Sequence, residues 1–249
     1  MEKQIPKVIH YCWFGGKPLP KMAKKCIKSW KKYLPDYEIK QWDESNFDVN
    51  IIPYTSEADK AGKYAFVSDY ARYWILNQHG GIYFDTDVEV IKPLDDIISR
   101  GSFMGCQNKY NPEKTALSLA VAPGLGLACY PHHPFYGEMV DLYNKLHFIK
   151  EDGSLHLKTI VHYTTEQLVK HGLINTPDIQ TVDDITIYPW DYFCPMRPTL
   201  EMELTSNSRT IHLFSASWET KSVKIRKAIK RMLGYRVVNF IQPLISRKK

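Results

Sequence analysis

The order of the first three segments constrains the fold most. Lys7–Phe14 (KVIHYCWF) is β-branched and aromatic, is closed by Gly15-Gly16, and reads as a buried strand. Pro20–Tyr33 carries Met22, Ala23, Cys26, Ile27 and Trp30 at helical spacing, with most of its lysines on the other face. Tyr37–Trp42 reads as a second strand after the Pro35-Asp36 turn. A strand, an amphipathic helix and another strand in quick succession predict a parallel, Rossmann-like α/β sheet. The chain has 249 residues and is 44% hydrophobic, which excludes a disordered polymer and fits one domain with a small appendage.

Further along, Glu57–His79 reads as one long helix with Tyr64, Val67, Ala71, Trp74, Ile75 and Gln78 on a stripe, stopped by Gly80-Gly81. Ile82–Phe84, Val88–Ile91, Phe103–Cys106, Ala116–Ala122, Thr181–Tyr188 and Thr210–Phe214 are strand candidates. Pro134–Leu146 and Thr165–His171 are helix candidates.

The formal charge of +6 hides an uneven distribution. Residues 1–32 hold nine lysines against one glutamate, and residues 221–249 hold ten bases and no acid. The stretch between them is net acidic, which is not the footprint of a nucleic-acid-binding domain, and no nucleic-acid partner is expected. The only compositional boundary divides residues 1–220 from a basic tail, 221–249. In that tail Ile225, Ile229, Met232 and Leu233 form a helical stripe flanked by Lys224, Lys227, Lys230 and Arg231. Such a helix suits an anionic membrane surface, and equally suits packing on the domain with a solvated basic face.

Five cysteines, an odd number without a CxxC pair, read as reduced thiols rather than a zinc ribbon or a disulfide framework. The N-terminus has no apolar signal region, and no run of about 18 apolar residues exists. A cytoplasmic location, with possible peripheral attachment to the inner membrane face, is the expectation.

The chemistry gathers at Asp85 and Asp87. They sit two apart at the end of an apolar strand, where extended backbone points both carboxylates to one face. Paired carboxylates at a strand's C-terminal edge form a hard oxygen site for Mn²⁺ or Mg²⁺ beside a phosphate-bearing substrate. A bare Asp-x-Asp is also a common acidic turn. The helix just before it places Ser68, Asp69 and Arg72 at i,i+3 and i,i+4 spacing, on one side. By itself such an Asp–Arg pair reads as a surface ion pair; beside a carboxylate strand it can reach a sugar.

The stretch SDYAR…GGIYFDTD resembles the DXD glycosyltransferases of glycosyltransferase family 32, and is similar to the catalytic domain of the clostridial glucosylating toxins. Ile9–Gly16 resembles the toxins' aromatic strand ending in Gly-Gly. Thr210–Trp218 resembles the family's closing His…Ser-Trp segment. The resemblance implies a GT-A fold and a retaining, metal-dependent transfer from a nucleotide-sugar. It places Trp13 on the nucleobase, Asp69 and Arg72 on the donor sugar, and Ser68 and Tyr83 in the substrate site. Asp85 would touch ribose, sugar or a metal-bound water. Asp87 and His212 would hold the metal, and Ser217 and Trp218 would contact the diphosphate or the leaving oxygen. Alone, Trp13 and His212 read as core residues. Many relatives carry Thr-Gly-Pro where this chain has Tyr163-Thr164-Thr165-Glu166, which leaves the acceptor side open.

The reaction expected is transfer of a hexose, with a UDP-sugar favoured, to a saccharide acceptor of a lipid-linked type in bacterial capsular or surface-glycan synthesis. Two alternatives stand beside it. Phe84–Val88 satisfies the DxDx[TV] signature of haloacid-dehalogenase-like phosphatases, with Asp183-Asp184 as a later acidic pair. The basic ends also allow a non-catalytic membrane-surface protein.

Overall fold

The computed structural model describes residues 4–113, 118–196 and 201–215. The basic tail and the segment with Ser217 and Trp218 lie outside them. The opening is β-α-β as expected: β1 (Val8–Cys12), α1 (Lys21–Tyr33) and β2 (Glu38–Trp42), with β1 and β2 parallel. α1 buries Ala23, Cys26 and Trp30. Lys31 and Lys32 close its last turn, where cations suit the helix dipole.

The expected long helix is two helices. α2 (Pro53–Lys60) ends at Ala61, and α3 (Tyr64–His79) starts after Lys63. Gly62 sits between them at φ +65°. Its N–H donates to the Asp59 carbonyl and that of Lys63 to the Ala58 carbonyl, both at 2.8 Å. That pair of bonds is a Schellman stop, which satisfies the last carbonyls of α2 and needs a left-handed residue. α3 is also buried around most of its circumference, on Val67, Asp69, Tyr70, Ala71, Arg72, Tyr73, Ile75 and Leu76, rather than along one stripe. It is covered on several sides, by β1 and β3 (Gly81–Tyr83) and by α2 and α5 (Pro134–Asn144).

The sheet is mixed rather than wholly parallel. Its order is β2-β1-β3-β6-β5-β8-β7, where β5 is Phe103–Gly105, β6 Leu127–Cys129, β7 Gln180–Val182 and β8 Ile185–Tyr188. β1, β2 and β3 are parallel, as are β5 and β8. β6 runs antiparallel between β3 and β5, so β3 and β5 point the same way. The strand expected at Ala116–Ala122 begins outside the described residues; over 118–122 it is a bridge between Val121 and Cys106, and Leu127–Cys129 takes the sheet position instead. The single late strand Thr181–Tyr188 is a hairpin, β7 and β8, turned at Asp183 and Asp184 with φ of 47° and 58°. Two consecutive left-handed residues are the geometry of a two-residue hairpin loop.

Two short helices, α4 (Asp95–Ile98) and α7 (Trp190–Phe193), and α6 (Ile160–Lys170) complete the helical set among the described residues. β4 (Val88–Val90) leaves the main sheet and pairs antiparallel with β9 (Thr210–His212). Apolar clusters fill both faces of the sheet, one under α3 and α5 and one under α1. No described helix is long and apolar enough to cross a membrane. All five cysteines are buried thiols.

His10 locks the parallel strands together. Trp42 donates its indole N–H to His10 Nδ1 at 3.0 Å, and His10 Nε2 bonds the Gly80 carbonyl at 3.1 Å. With Nδ1 accepting, the ring's proton sits on Nε2 and the imidazole is neutral. Burial lowers its pKa to about 4, against the opposing Gly80 bond. The unfolded chain takes up this proton as pH falls through 6.5, and the fold refuses it until about 4. Stability is therefore full above pH 6.5 and is lost on acidification, by about 3 kcal/mol from this group. Urea unfolding between pH 6.5 and 4.5 should show a steeper loss in the wild type than in His10→Gln. Equal slopes would remove His10 as the cause.

Candidate active site

The site forms at the C-terminal edge of β3. Tyr83 and Asp85, two apart, lie on the same side, and the Tyr83 hydroxyl donates to Asp85 Oδ1 at 3.3 Å. Asp85 to Asp87 is not extended, contrary to the expectation from strand alternation. Val88 N–H donates to the Asp85 carbonyl at 3.0 Å, closing a turn over Asp85–Val88. That turn, not a strand face, makes the two carboxylates converge. α1 holds it from behind, with the Trp30 indole donating to the Val88 carbonyl at 2.7 Å.

β9 brings the third group. Val88 is in register with His212, and the Leu213 N–H donates to the Asp87 carbonyl at 2.9 Å. His212 Nε2 lies 3.2 Å from Asp87 Oδ1, and the Ser215 N–H donates to Asp87 Oδ2 at 2.7 Å. One ligand atom each from Asp85, Asp87 and His212 fall within 4.8 Å of one another. His212 Nδ1 is buried and has no hydrogen-bond partner among the described residues. Two hard carboxylates and an imidazole are a donor set that fits a divalent cation of the Mn²⁺ type, with Mg²⁺ less suited to the nitrogen.

The charges of the trio are set by each other. Burial works against an ionised Asp87, but His212 and the Ser215 N–H outweigh it and hold the pKa well below the carboxylate range. Burial likewise disfavours a charged His212, yet Asp87 and Asp85 raise its pKa. Asp85 is pushed up by burial and by Asp87, with Arg72 opposing. A cation bound here would replace the His212 proton as the compensating charge.

Arg72 underpins Asp85. Its Nη2 lies 3.0 Å from Asp69 Oδ1 and 3.3 Å from Asp85 Oδ1, its Nε donates to the Ser68 carbonyl at 3.1 Å, and its guanidinium sits 5.0 Å from the centre of the Tyr83 ring. The side chain is only 5% exposed, so the Asp69–Arg72 pair is buried and not a surface bridge. Burial pushes Asp69 up to about 7 against the pull of Arg72. The backbone N–H of Ile160, at the start of α6, also favours its ionised form. The Ser68 hydroxyl turns back to the Tyr64 carbonyl at 3.1 Å, so Ser68 serves Arg72 through its backbone. Trp13 follows β1 on the same sheet edge, half-buried, with its indole donating to the Lys17 carbonyl at 2.5 Å.

Gly124 is a site residue that pattern reading misses. It lies in a buried 3₁₀ turn, Pro123–Leu125, and its carbonyl accepts from Asp85 N–H at 3.1 Å. A Cβ built there would stand 2.0 Å from Asp85 Oδ2 and 2.9 Å from its Cγ. Gly124→Ala must therefore displace the Asp85 carboxylate while leaving an allowed backbone. Turnover should fall about 10²-fold, the scale of an ångström-size misplacement, with the circular dichroism spectrum retained. Near-wild-type turnover would show that Asp85 has room to move.

Asp183 and Asp184 lie apart from this group. Asp184 Oδ1 is 2.7 Å from His133 Nε2, and Asp183 pairs with His171. They serve the β7–β8 hairpin, and the acidic pair required by the phosphatase reading is not assembled beside Asp85.

Residues 20–104 match a family model described as a glycosyltransferase sugar-binding region containing a DXD motif. An uncharacterised glycosyltransferase of Acanthamoeba polyphaga mimivirus is 26% identical over 207 residues, 77% of each chain. Inositol phosphoceramide mannosyltransferase 1 of Schizosaccharomyces pombe is 30% identical over 115 residues, 42% of this chain and 34% of that one. The chain thus spans about a third of the length of that yeast relative. The solved PaToxG glycosyltransferase is 21% identical, aligns over 68% of this chain and 70% of its own, and has a TM-score of 0.48.

Proposed function

We propose, on the premise that this chain is a glycosyltransferase with a DXD sugar-binding region, that it moves a hexose from a nucleotide-sugar to a saccharide acceptor with retention of the anomeric configuration. The observation that carries this reading is the convergence of Asp85, Asp87 and His212 within 4.8 Å, directly above the buried Arg72. A UDP-hexose is the favoured donor; GDP-mannose stands beside it because a relative is named a mannosyltransferase.

Asp85, Asp87 and His212 would hold Mn²⁺ or Mg²⁺. When bound, the ion supplies electrostatic stabilisation of negative charge on the departing diphosphate. The chain's own residues do the rest. Arg72 and the Tyr83 hydroxyl fix the rotamer of Asp85 before substrate arrives, so little reorganisation is needed at the moment of transfer. Trp13 offers an aromatic surface to the nucleobase. The acceptor hydroxyl attacks the anomeric carbon from the face the diphosphate leaves. The bond from that carbon to the phosphate oxygen breaks, and the hydroxyl proton passes to the departing phosphate.

A panel of nucleotide-sugars with Mn²⁺, read by nucleotide release and by NMR of the product, tests the scheme. One donor should be turned over, only with metal, and the product should keep the donor's anomeric configuration. An inverted anomer would sink front-face transfer, and no turnover of any donor would sink the function. The acceptor is proposed as lipid-linked, in surface-glycan synthesis, at the cytoplasmic face of the membrane. The basic residues of 221–249 would supply the attraction to anionic lipid. Equal binding to anionic vesicles by the full chain and by one ending at Thr220 would refute that attachment.

A further inference from the structure

A cavity lies on the same edge of the sheet as the DXD group. It is a cleft of about 590 Å³, and its walls include Asn108, Lys109, Tyr110, Trp190, Asp191 and Asn207. Its floor is Cys106 and Tyr188, at the C-terminal ends of β5 and β8. Those strands point the same way as β3, so the cleft and Asp85 open off the same carboxyl edge, where ligands of α/β sheets bind. Trp13 lies at the end of β1, on the other side of β3 in the strand order. The donor's base and this cleft therefore fall on opposite flanks of the DXD group.

The charged groups of the cleft already have partners within the protein. Lys109 Nζ lies 3.0 Å from Glu203 Oε1 and 5.1 Å from the centre of the Trp190 ring. Asp191 Oδ2 accepts from Thr205 Oγ1 at 2.9 Å and from Asn207 Nδ2 at 3.0 Å. Asp178, the other carboxylate of the lining, accepts from Thr176 Oγ1 on its Oδ2 at 3.0 Å. An anion would have to compete with Glu203 for the one ammonium, and a cation with the donors already seated on the two carboxylates. What remains on offer is aromatic surface, amides and a size suited to a small organic ligand. That is the chemistry of a neutral polyhydroxylated molecule, whose C–H faces stack on rings and whose hydroxyls bond amides.

The cleft is also close enough to serve the transfer. Asn207 on its wall is five residues before His212, and the intervening chain enters β9. Fully extended, that stretch spans at most about 17 Å. From the floor, Cys106 bridges Val121, and Gly124 three residues on touches Asp85.

We infer that this cleft binds a neutral saccharide and is the acceptor site of the enzyme. The acceptor role rests on the glycosyl-transfer reading above; the saccharide binding does not. Tyr110 and Asn108 would set which acceptor is taken, since both line the cleft and neither touches the DXD group.

Saturation-transfer NMR on the full chain with p-nitrophenyl α- and β-glucosides, galactosides and mannosides tests it. At least one hexoside should bind. Asn108→Trp, which fills the cleft from an exposed position, should abolish the signal, and Tyr110→Ala should weaken the Kd at least tenfold. Asp87→Asn should still bind that hexoside. In turnover, the same two cleft substitutions should raise the hexoside KM at least tenfold and move the donor KM less than twofold. Absence of binding by every hexoside, or binding untouched by Asn108→Trp, would overturn the inference. Hexoside binding lost in Asn108→Trp but without glycosyl transfer from any donor would support the cleft and refute the proposed reaction instead.

Discussion

Asp87→Asn should lower turnover by about 10³-fold or more, equivalent to roughly 4 kcal/mol of transition-state stabilisation, in a protein that remains folded. Asparagine keeps the shape of aspartate, and its carbonyl can still accept the Ser215 N–H that now reaches Asp87 Oδ2 at 2.7 Å. What it removes is the charge that raises the His212 pKa and helps to make the trio a cation site. Two measurements separate the site from the fold. The Mn²⁺ affinity, read by the electron paramagnetic resonance of free ion, should fall at least tenfold. Thermal unfolding should stay cooperative. Metal-dependent turnover at the wild-type rate would remove Asp87 from the site.

The second large effect is expected at Arg72, and on both stability and rate. Arg72→Lys keeps a positive charge, but one ammonium cannot reproduce the bonds to the Ser68 carbonyl, Asp69 and Asp85 together. Burial disfavours the charged guanidinium, and Asp85, Tyr83 and Asp69 restore it. Losing the fork leaves a buried carboxylate poorly paired, at a cost of about 3 kcal/mol in unfolding free energy. The rate should fall by about 10²-fold, because Asp85 loses its fixed rotamer. Chemical denaturation and kcat/KM, measured side by side, check both. A variant that loses stability yet keeps full activity would make Arg72 a packing residue only.

Features with a local signature were legible in the sequence. The β-branched and aromatic run of β1, the 3.6-residue stripe of α1 and the spacing Asp69, Arg72, Asp85, Asp87 all depend on neighbours within a few turns. Gly62 was also visible, but the apolar pattern runs on across it from α2 into α3, so periodicity alone hid the break. β6 escaped because three buried residues, Leu127–Cys129, sit in a run studded with glycine and proline. The site's remaining parts carry no residue-type signal. The Ser215 N–H and the Gly124 carbonyl are backbone groups, and a backbone group looks the same at every position. The depth of Arg72 was likewise hidden, since an i,i+3 ion pair has the same spacing on a surface helix as in a core.

The β4–β9 pair has a consequence for how the protein comes into being. Asp87 and the Ser215 N–H that caps it are 128 residues apart. The two carboxylates are synthesised early, and the groups that complete them arrive only after β7 and β8 have been made. Closing so long a loop is paid for before its contacts form, which places the contact late in folding. A nascent chain that stops short of His212 holds the acidic turn without its imidazole or its cap. Catalytic competence is thus a property of the finished domain, and the onset of turnover during synthesis dates the docking of β9 rather than the formation of the sheet.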